Sequence, residues 1–284
     1  HKMSDAPKEL YMFRGSQFVI KAIAAMALKG MLPGDGSYVA REVPLALKGR
    51  KKLLPPPHTV PVLRWGNDII PGSDNICLLL DEKFPDKPRL YPADEAGKAE
   101  VRAMEDRIST MYWSNGYLTF CDGQEAFERY TARRVHEAIS GIPLIGGLAW
   151  SLAPKLILKK AAQAIESGWR DTCRAKGGPF ARYGDVPTAN RQVVWDETQA
   201  ELKALDAVVA ASPTGYLCRT PTPSAADLTL YGMLERWVGD SLMDGPEGFG
   251  PAQPLILDDT PALRKLFEDL RGRFAKDCSL HRFG

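Results

Sequence analysis

The sequence predicts two units in series, a small α/β domain followed by a larger all-helical one. Three observations carry that prediction. Strand patterns are confined to the first part of the 284-residue chain, prolines crowd residues 85–92, and only helical patterns follow. A chain of this length is about twice a typical domain, which agrees with two units. With 44% hydrophobic and 25% charged residues it holds enough apolar material for a sizeable core.

The elements follow in order. Residues 8–13 (KELYMF) alternate as a short strand. Phe18, Ile23, Met26 and Ala27 recur at helical spacing, so a helix spans residues 18–32, with Gly30 near its end. Gly34, Asp35 and Gly36 form a turn, and residues 37–43 alternate as a second strand. Strand, helix and strand in that order make a right-handed βαβ unit. A basic run (Lys48, Arg50, Lys51, Lys52) and the stiff triplet Pro55, Pro56, Pro57 lead to residues 59–76, TVPVLRWGNDIIPGSDNI. Residues 60–65 and 68–70 there read as two strands joined by a tight turn at Gly66 and Asn67. Ser73 caps a helix that carries Ile76, Leu79, Leu80 and Phe84 on one face. Asp74 suits the positive end of that helix. Pro85, Pro88 and Pro92 mark a linker. Helical patterns then cover residues 93–117, 124–140, 156–176, 191–212, 225–238 and 261–274.

Composition narrows the function. A net charge of +2 with scattered basic residues argues against a nucleic-acid partner. Cys77, Cys121, Cys173, Cys218 and Cys278 are odd in number and widely spaced, with no CxxC and no Cys/His cluster at metal spacing. Neither a disulfide scaffold nor a bound metal is expected, and a reducing, cytoplasmic location is. The start, His1-Lys2-Met3, reads as an expression scar ahead of a natural Met3, with no leader behind it. Residues 142–158 are the one membrane-like stretch. Pro143, Gly146, Gly147 and Pro154 break it and Lys155 interrupts it, so a stable span is not expected. A buried helix pair or hydrophobic loop is the ordinary reading of that stretch, and peripheral membrane contact is the other.

The order β-α-β, then Val60-Pro61-Val62-Leu63, Ser73-Asp74-Asn75-Ile76, Phe84-Pro85 and Leu90-Tyr91-Pro92 resembles the cytosolic glutathione transferases. Downstream, Thr222-Pro223-Ser224-Ala225-Ala226-Asp227-Leu228 is similar to the capping box in the core helix of their second domain. In such a box the Ser224 hydroxyl accepts from the Asp227 amide, and the Asp227 carboxylate reaches back to the Ser224 amide. The resemblance implies a thioredoxin-like N-terminal domain (residues 4–86) that binds glutathione. It also implies an all-helical domain (residues 94–284) that contributes a hydrophobic substrate site. A homodimer is implied as well. Residues 141–158 have no counterpart in the pattern, and they modify the dimer interface or line the ligand pocket.

The same resemblance implies site residues. The Val60–Pro61 bond would be cis, turning Val60 so that its backbone pairs with the cysteinyl unit of glutathione. Ser73 would present hydroxyl and amide to the γ-glutamyl carboxylate at a helix N-terminus, where on residue type alone it is simply a cap. Many members carry Glu or Gln just before this serine, whereas this chain has Gly72. Asp74 or a carboxylate from elsewhere compensates, or glutathione binding is weak. Lys52 and His58 would meet the glycine carboxylate, a solvated charged loop being the alternative. The thiolate of glutathione is the nucleophile, and its thiol is mostly protonated at neutral pH, so a donor to sulfur is required. Ser16-Gln17-Phe18-Val19-Ile20-Lys21 resembles the Cys/Ser-Pro-Phe-x-x-Lys/Arg pattern that supplies it, with Gln17 in place of Pro and Phe18 alongside. That makes Ser16 the preferred donor, with a plain N-cap as its ordinary role. Tyr11, in a Tyr-x-x-Arg-Gly setting, is the rival. The absence of cysteine here disfavours mixed-disulfide chemistry. Conjugation, peroxide reduction, isomerisation and ether cleavage stay open. Met104, Ile108, Met111, Tyr112 and Trp113 form a stripe that serves either as core or as the hydrophobic substrate site. A non-catalytic ligand-binding or protein-interaction module on the same fold is the alternative function, and Gly72 and Gln17 are the residues that favour it.

Overall fold

A computed structural model describes residues 7–13, 16–33, 35–43, 51–56, 58–121, 135–136, 150–238 and 257–278. Strands β1 (Lys8–Met12), β2 (Val39–Glu42), β3 (Val62–Trp65) and β4 (Asp68–Pro71) form one sheet in the order β2-β1-β3-β4. β1 runs parallel to β2 and antiparallel to β3, and β3 is antiparallel to β4. The β3–β4 hairpin turns at Gly66, whose φ of 61° suits a two-residue hairpin loop. Leu10, Met12 and Leu63 point to the buried face, while Glu9, Arg41 and Arg64 form an ionic ladder on the other face.

Helix α1 (Gln17–Leu28) and helix α2 (Ser73–Lys83) complete the first domain. α1 is buried almost all round, including Val19, Ile20, Ala22, Ile23, Ala24, Ala25 and Met26. That is why its sequence lacks a polar stripe: a helix apolar on every side belongs inside. One side of it packs within its own domain on α2, and the other meets the helical domain.

The helical domain comprises α3 (Glu95–Phe120), α4 (Pro154–Lys176), short 3₁₀ segments at Gly178–Gly184 and Thr188–Asn190, α5 (Arg191–Ala210), α6 (Ala225–Val238) and α7 (Pro261–Cys278). The helix expected over residues 124–140 falls almost wholly outside the described residues. Hydrophobic residues 142–149 do too. Asp94 caps α3 by accepting from the Gly97 amide at 2.8 Å. At the head of α6 the Asp227 carboxylate accepts from the Ser224 amide (2.8 Å), the Ser224 hydroxyl (2.6 Å) and the Leu217 amide (2.9 Å). The Asp227 amide donates back to the Ser224 hydroxyl at 3.5 Å. Burial pushes the Asp227 carboxyl above its ordinary pKa, and those donors work against the rise.

The proline-rich linker is pinned from both sides. Buried Lys29 at the end of α1 donates to Asp81 (2.6 Å) and to the Pro88 carbonyl (2.7 Å). Asp81 also takes the amides of Leu90 and Tyr91. The Ala225 amide at the start of α6 donates to the Leu90 carbonyl at 2.9 Å. The domain contact is close because α6 carries Gly232: a Cβ there would lie 2.4 Å from the Gln17 carbonyl oxygen.

Candidate functional site

The strand register gathers the candidate residues at one end of the sheet. β1 ends at Met12, beside the start of β3, since Tyr11 pairs with Val62. β4 ends at Pro71 opposite Val62, and the Gly72 amide donates to the Pro61 carbonyl at 2.9 Å. Ser16, Val60, Pro61 and Ser73 therefore cluster around the C-terminal end of β1 and the N-termini of α1 and α2. The Val60–Pro61 peptide bond is cis.

Ser16 is the N-cap residue of α1. Its carbonyl accepts from the Val19 and Ile20 amides, both at 3.0 Å, but its hydroxyl caps no amide of the helix. Gln17 follows it under α6, nearly fully buried. Ser73 does not cap α2 as expected: Gly72 holds the N-cap position, and Ser73, the first residue of the helix, is buried with its hydroxyl donating to Asp74 at 3.3 Å. Gly72 adopts a positive φ of 85° with open space where a side chain would be. Tyr11 lies within β1, its hydroxyl donating to Glu9 at 3.1 Å on the ladder face. Burial and the Glu9 hydrogen bond raise its pKa, which leaves a neutral phenol already committed to a carboxylate. Lys52 is exposed, and His58 has a positive φ of 63° with Nδ1 2.8 Å from the Leu54 carbonyl.

The α3 stripe divides by burial. Ile108 and Met111 are buried in the main core, while Met104 and Tyr112 are partly exposed at its edge. The Tyr112 ring sits 5.5 Å from Phe18, next to the Ser16 cap, so the helical domain brings an aromatic face to the start of α1. Behind it lies an aromatic stack that sequence reasoning missed apart from Trp113. Trp169 of α4 lies 5.3 Å from Tyr112 and 5.4 Å from Trp113, and Phe180 stacks on Trp113 at 5.1 Å. The available signal was Gly116, one turn beyond Tyr112. A Cβ there would come within 2.0 Å of the Trp169 ring, so only glycine admits the tryptophan.

A second feature escaped notice. Lys21 of α1 is 1% exposed and makes ion pairs with both Asp74 at the head of α2 and Glu105 in the middle of α3. The other oxygen of Glu105 accepts from the Tyr91 hydroxyl at 2.8 Å, and Thr229 of α6 donates to Glu105 at 3.4 Å. Burial opposes the charge on Lys21, but the facing carboxylates of Glu105 and Asp74 outweigh it and leave its pKa above the ordinary lysine value. Burial also leaves Glu105 above its ordinary value, against the pull of Lys21, and pushes the Cys77 thiol up to about 12. Cys77 is thus a neutral core residue and no nucleophile.

Among the described residues no group of three or more His, Cys, Asp or Glu is arranged to hold a metal ion, and no helix is long and apolar enough to cross a membrane. Residues 10–88 match the family described as glutathione S-transferase, N-terminal domain. No curated protein matches the chain in sequence. Among solved structures, a glutathione S-transferase from the Antarctic clam Laternula elliptica is 15% identical, with 96% of this chain and 92% of that one covered and a TM-score of 0.53. The beta-etherase LigF from Sphingobium sp. strain SYK-6 is 18% identical, with 95% and 99% covered and a TM-score of 0.53. A bacterial maleyl pyruvate isomerase, a glutathione S-transferase in Zeta class, is 21% identical, with 95% and 97% covered and a TM-score of 0.50. At these identities the likeness is one of fold.

Proposed function

We propose that this protein, whose residues 10–88 match the glutathione S-transferase N-terminal domain family and whose fold is similar to that of glutathione S-transferases of solved structure, is a glutathione-dependent enzyme. It activates the thiolate of glutathione for attack on a hydrophobic, electrophilic small molecule by conjugation, ether cleavage or peroxide reduction. The observation that carries this reading is the convergence of Ser16, Val60, Pro61 and Ser73 at one end of the sheet.

Each residue has a chemical part. The Ser16 hydroxyl, bonded to no amide of its own helix, donates to the glutathione sulfur, where the positive end of α1 also favours a thiolate. The backbone N–H and C=O of Val60 pair with the cysteinyl unit. Ser73 and the N-terminal amides of α2 hold the γ-glutamyl carboxylate, as helix N-termini hold anions. Exposed Lys52 supplies a cation for the glycine carboxylate, with His58 beside it. The second substrate rests against Phe18, Met104 and Tyr112, with Ile108 and Met111 forming the floor beneath. The working protein is a cytoplasmic homodimer without a metal.

Titration calorimetry with reduced glutathione tests the reading. Saturable binding that weakens about tenfold in Ser73→Ala is expected, since a hydrogen bond to a charged group is worth that much. No heat in the wild type would sink the assignment. Gly72, which leaves the position ahead of Ser73 without a carboxylate, favours the second reading, a non-catalytic binder of hydrophobic ligands or proteins on this scaffold. That reading predicts ligand binding without glutathione turnover.

A further inference from the structure

The cluster around Lys21 joins four helices from both domains, and its charges do not cancel. One buried ammonium, Lys21, faces two carboxylates, Asp74 and Glu105. Tyr91 and Thr229, which also bond to Glu105, are neutral donors. The surplus is one negative charge. Glu105 is buried, so the surplus appears at Asp74, whose side chain is 69% exposed. Asp74 sits beside Ser73, its Oδ1 taken up by Lys21 and the Ser73 hydroxyl. Its Oδ2 is left for a cation at the same helix terminus that would take the γ-glutamyl carboxylate. The γ-glutamyl end of glutathione is a zwitterion with its α-ammonium one carbon from that carboxylate, so anion and cation fall on Ser73 and Asp74 together.

We propose that Lys21 and Glu105 are a positioning pair: they hold Asp74 in place to receive the γ-glutamyl α-ammonium, so that the helical domain takes part in recognising glutathione. The inference rests on reading the site as a glutathione site. It explains how a chain with Gly72 in front of Ser73 recovers a carboxylate. It also explains why a lysine is buried at the domain boundary, where an uncompensated charge would be costly. Glu105 reaches Asp74 only through Lys21, which fixes the Asp74 rotamer from behind.

The test compares glutathione with an analogue in which a glutaryl group replaces γ-glutamyl, so that hydrogen stands in place of the ammonium. Dissociation constants for both are measured by calorimetry on the wild type, Asp74→Asn and the double variant Lys21→Met/Glu105→Gln. The double variant keeps the cluster at one negative charge and leaves no orphaned ion, so it reports position rather than charge. The wild type is expected to prefer glutathione about tenfold or more, as for a charge-assisted hydrogen bond. Asp74→Asn should abolish the preference, and the double variant should cut it severalfold at unchanged net charge. General loosening of the fold would weaken both ligands alike and leave the ratio intact. A preference that survives Asp74→Asn, or is missing in the wild type, overturns the assignment. A preference lost in Asp74→Asn but intact in the double variant overturns the positioning role. Failure of the wild type to bind glutathione at all takes down the proposed function itself, an outcome distinct from the others.

Discussion

At the residue scale, single positions separate chemistry from packing. Ser16 occupies an N-cap yet bonds to none of its helix's amides, so its loss should cost the helix little and turnover a great deal. Ser16→Ala is expected to lower kcat about a hundredfold, the usual loss for one preorganised donor, with glutathione affinity little changed. Steady-state kinetics beside calorimetry would show this, and unchanged kcat would exclude Ser16 as the donor to sulfur. Gly232 is the opposite case. Its missing Cβ is what allows α6 to reach the Gln17 carbonyl, so Gly232→Ala pushes one domain off the other. A loss of about 2 kcal/mol or more in denaturant unfolding is expected. A change of a few tenths would mean that the helices shift apart freely. The sequence showed a serine and a glycine at these positions. What each one touches depends on a partner helix that local pattern does not locate.

At the element scale, the head of α6 is a local device with a long reach. The Ser224–Asp227 box satisfies the helix's own amides, as its residue spacing promised. It also takes the Leu217 amide from the preceding loop, which the spacing did not announce. Ser224→Ala should cost about 1–2 kcal/mol, the loss of a cap. Asp227→Ala should cost more, about 3 kcal/mol, because it strands the buried amides of Leu217 and Ser224. Equal losses in the two variants would mean that the carboxylate serves only the cap. Strands and helices were legible because they rest on short-range periodicity, and β1, β3, β4, α2, α3 and α6 lie close to where that periodicity put them. α1 proved shorter than residues 18–32 suggested, since Gly30, with a φ of 79°, closes it after Leu28.

At the scale of the whole molecule, the buried polar groups tie stability to pH. Burial, with the neighbouring carboxylates, raises Cys77 and Tyr91 above their ordinary values of 9.0 and 10.0, and the facing carboxylates, against burial, raise Lys21 above 10.5. Each therefore keeps its proton in the folded state after the unfolded chain has lost it. The folded state binds more protons, so stability falls as pH rises, beginning near pH 9 and continuing through about 12 for Cys77. Each group steepens the fall by about 1.4 kcal/mol per pH unit within its own window. Urea unfolding from pH 8 to 11 should show the decline, and Cys77→Ala should make it shallower above pH 9, with Cys173 and Cys218, also raised by burial, keeping its onset there. A flat profile over that range would mean that these groups titrate in the folded protein as they do in the unfolded one.

The sequence by itself determined the order of elements, the division into an α/β and a helical part, the proline-rich linker and the Ser224–Asp227 cap. All of these depend on residues within a turn or two of each other, where spacing and backbone preference decide. Only the tertiary structure decided which side chains meet across helices. It paired Lys21 with Glu105, 84 residues away, placed Trp169 in the notch left by Gly116, and sorted the α3 stripe into buried Ile108 and Met111 and accessible Met104 and Tyr112. Those contacts exist because two helices bury a shared face. The energy of that burial depends on the fit of both surfaces, and neither segment contains that information alone.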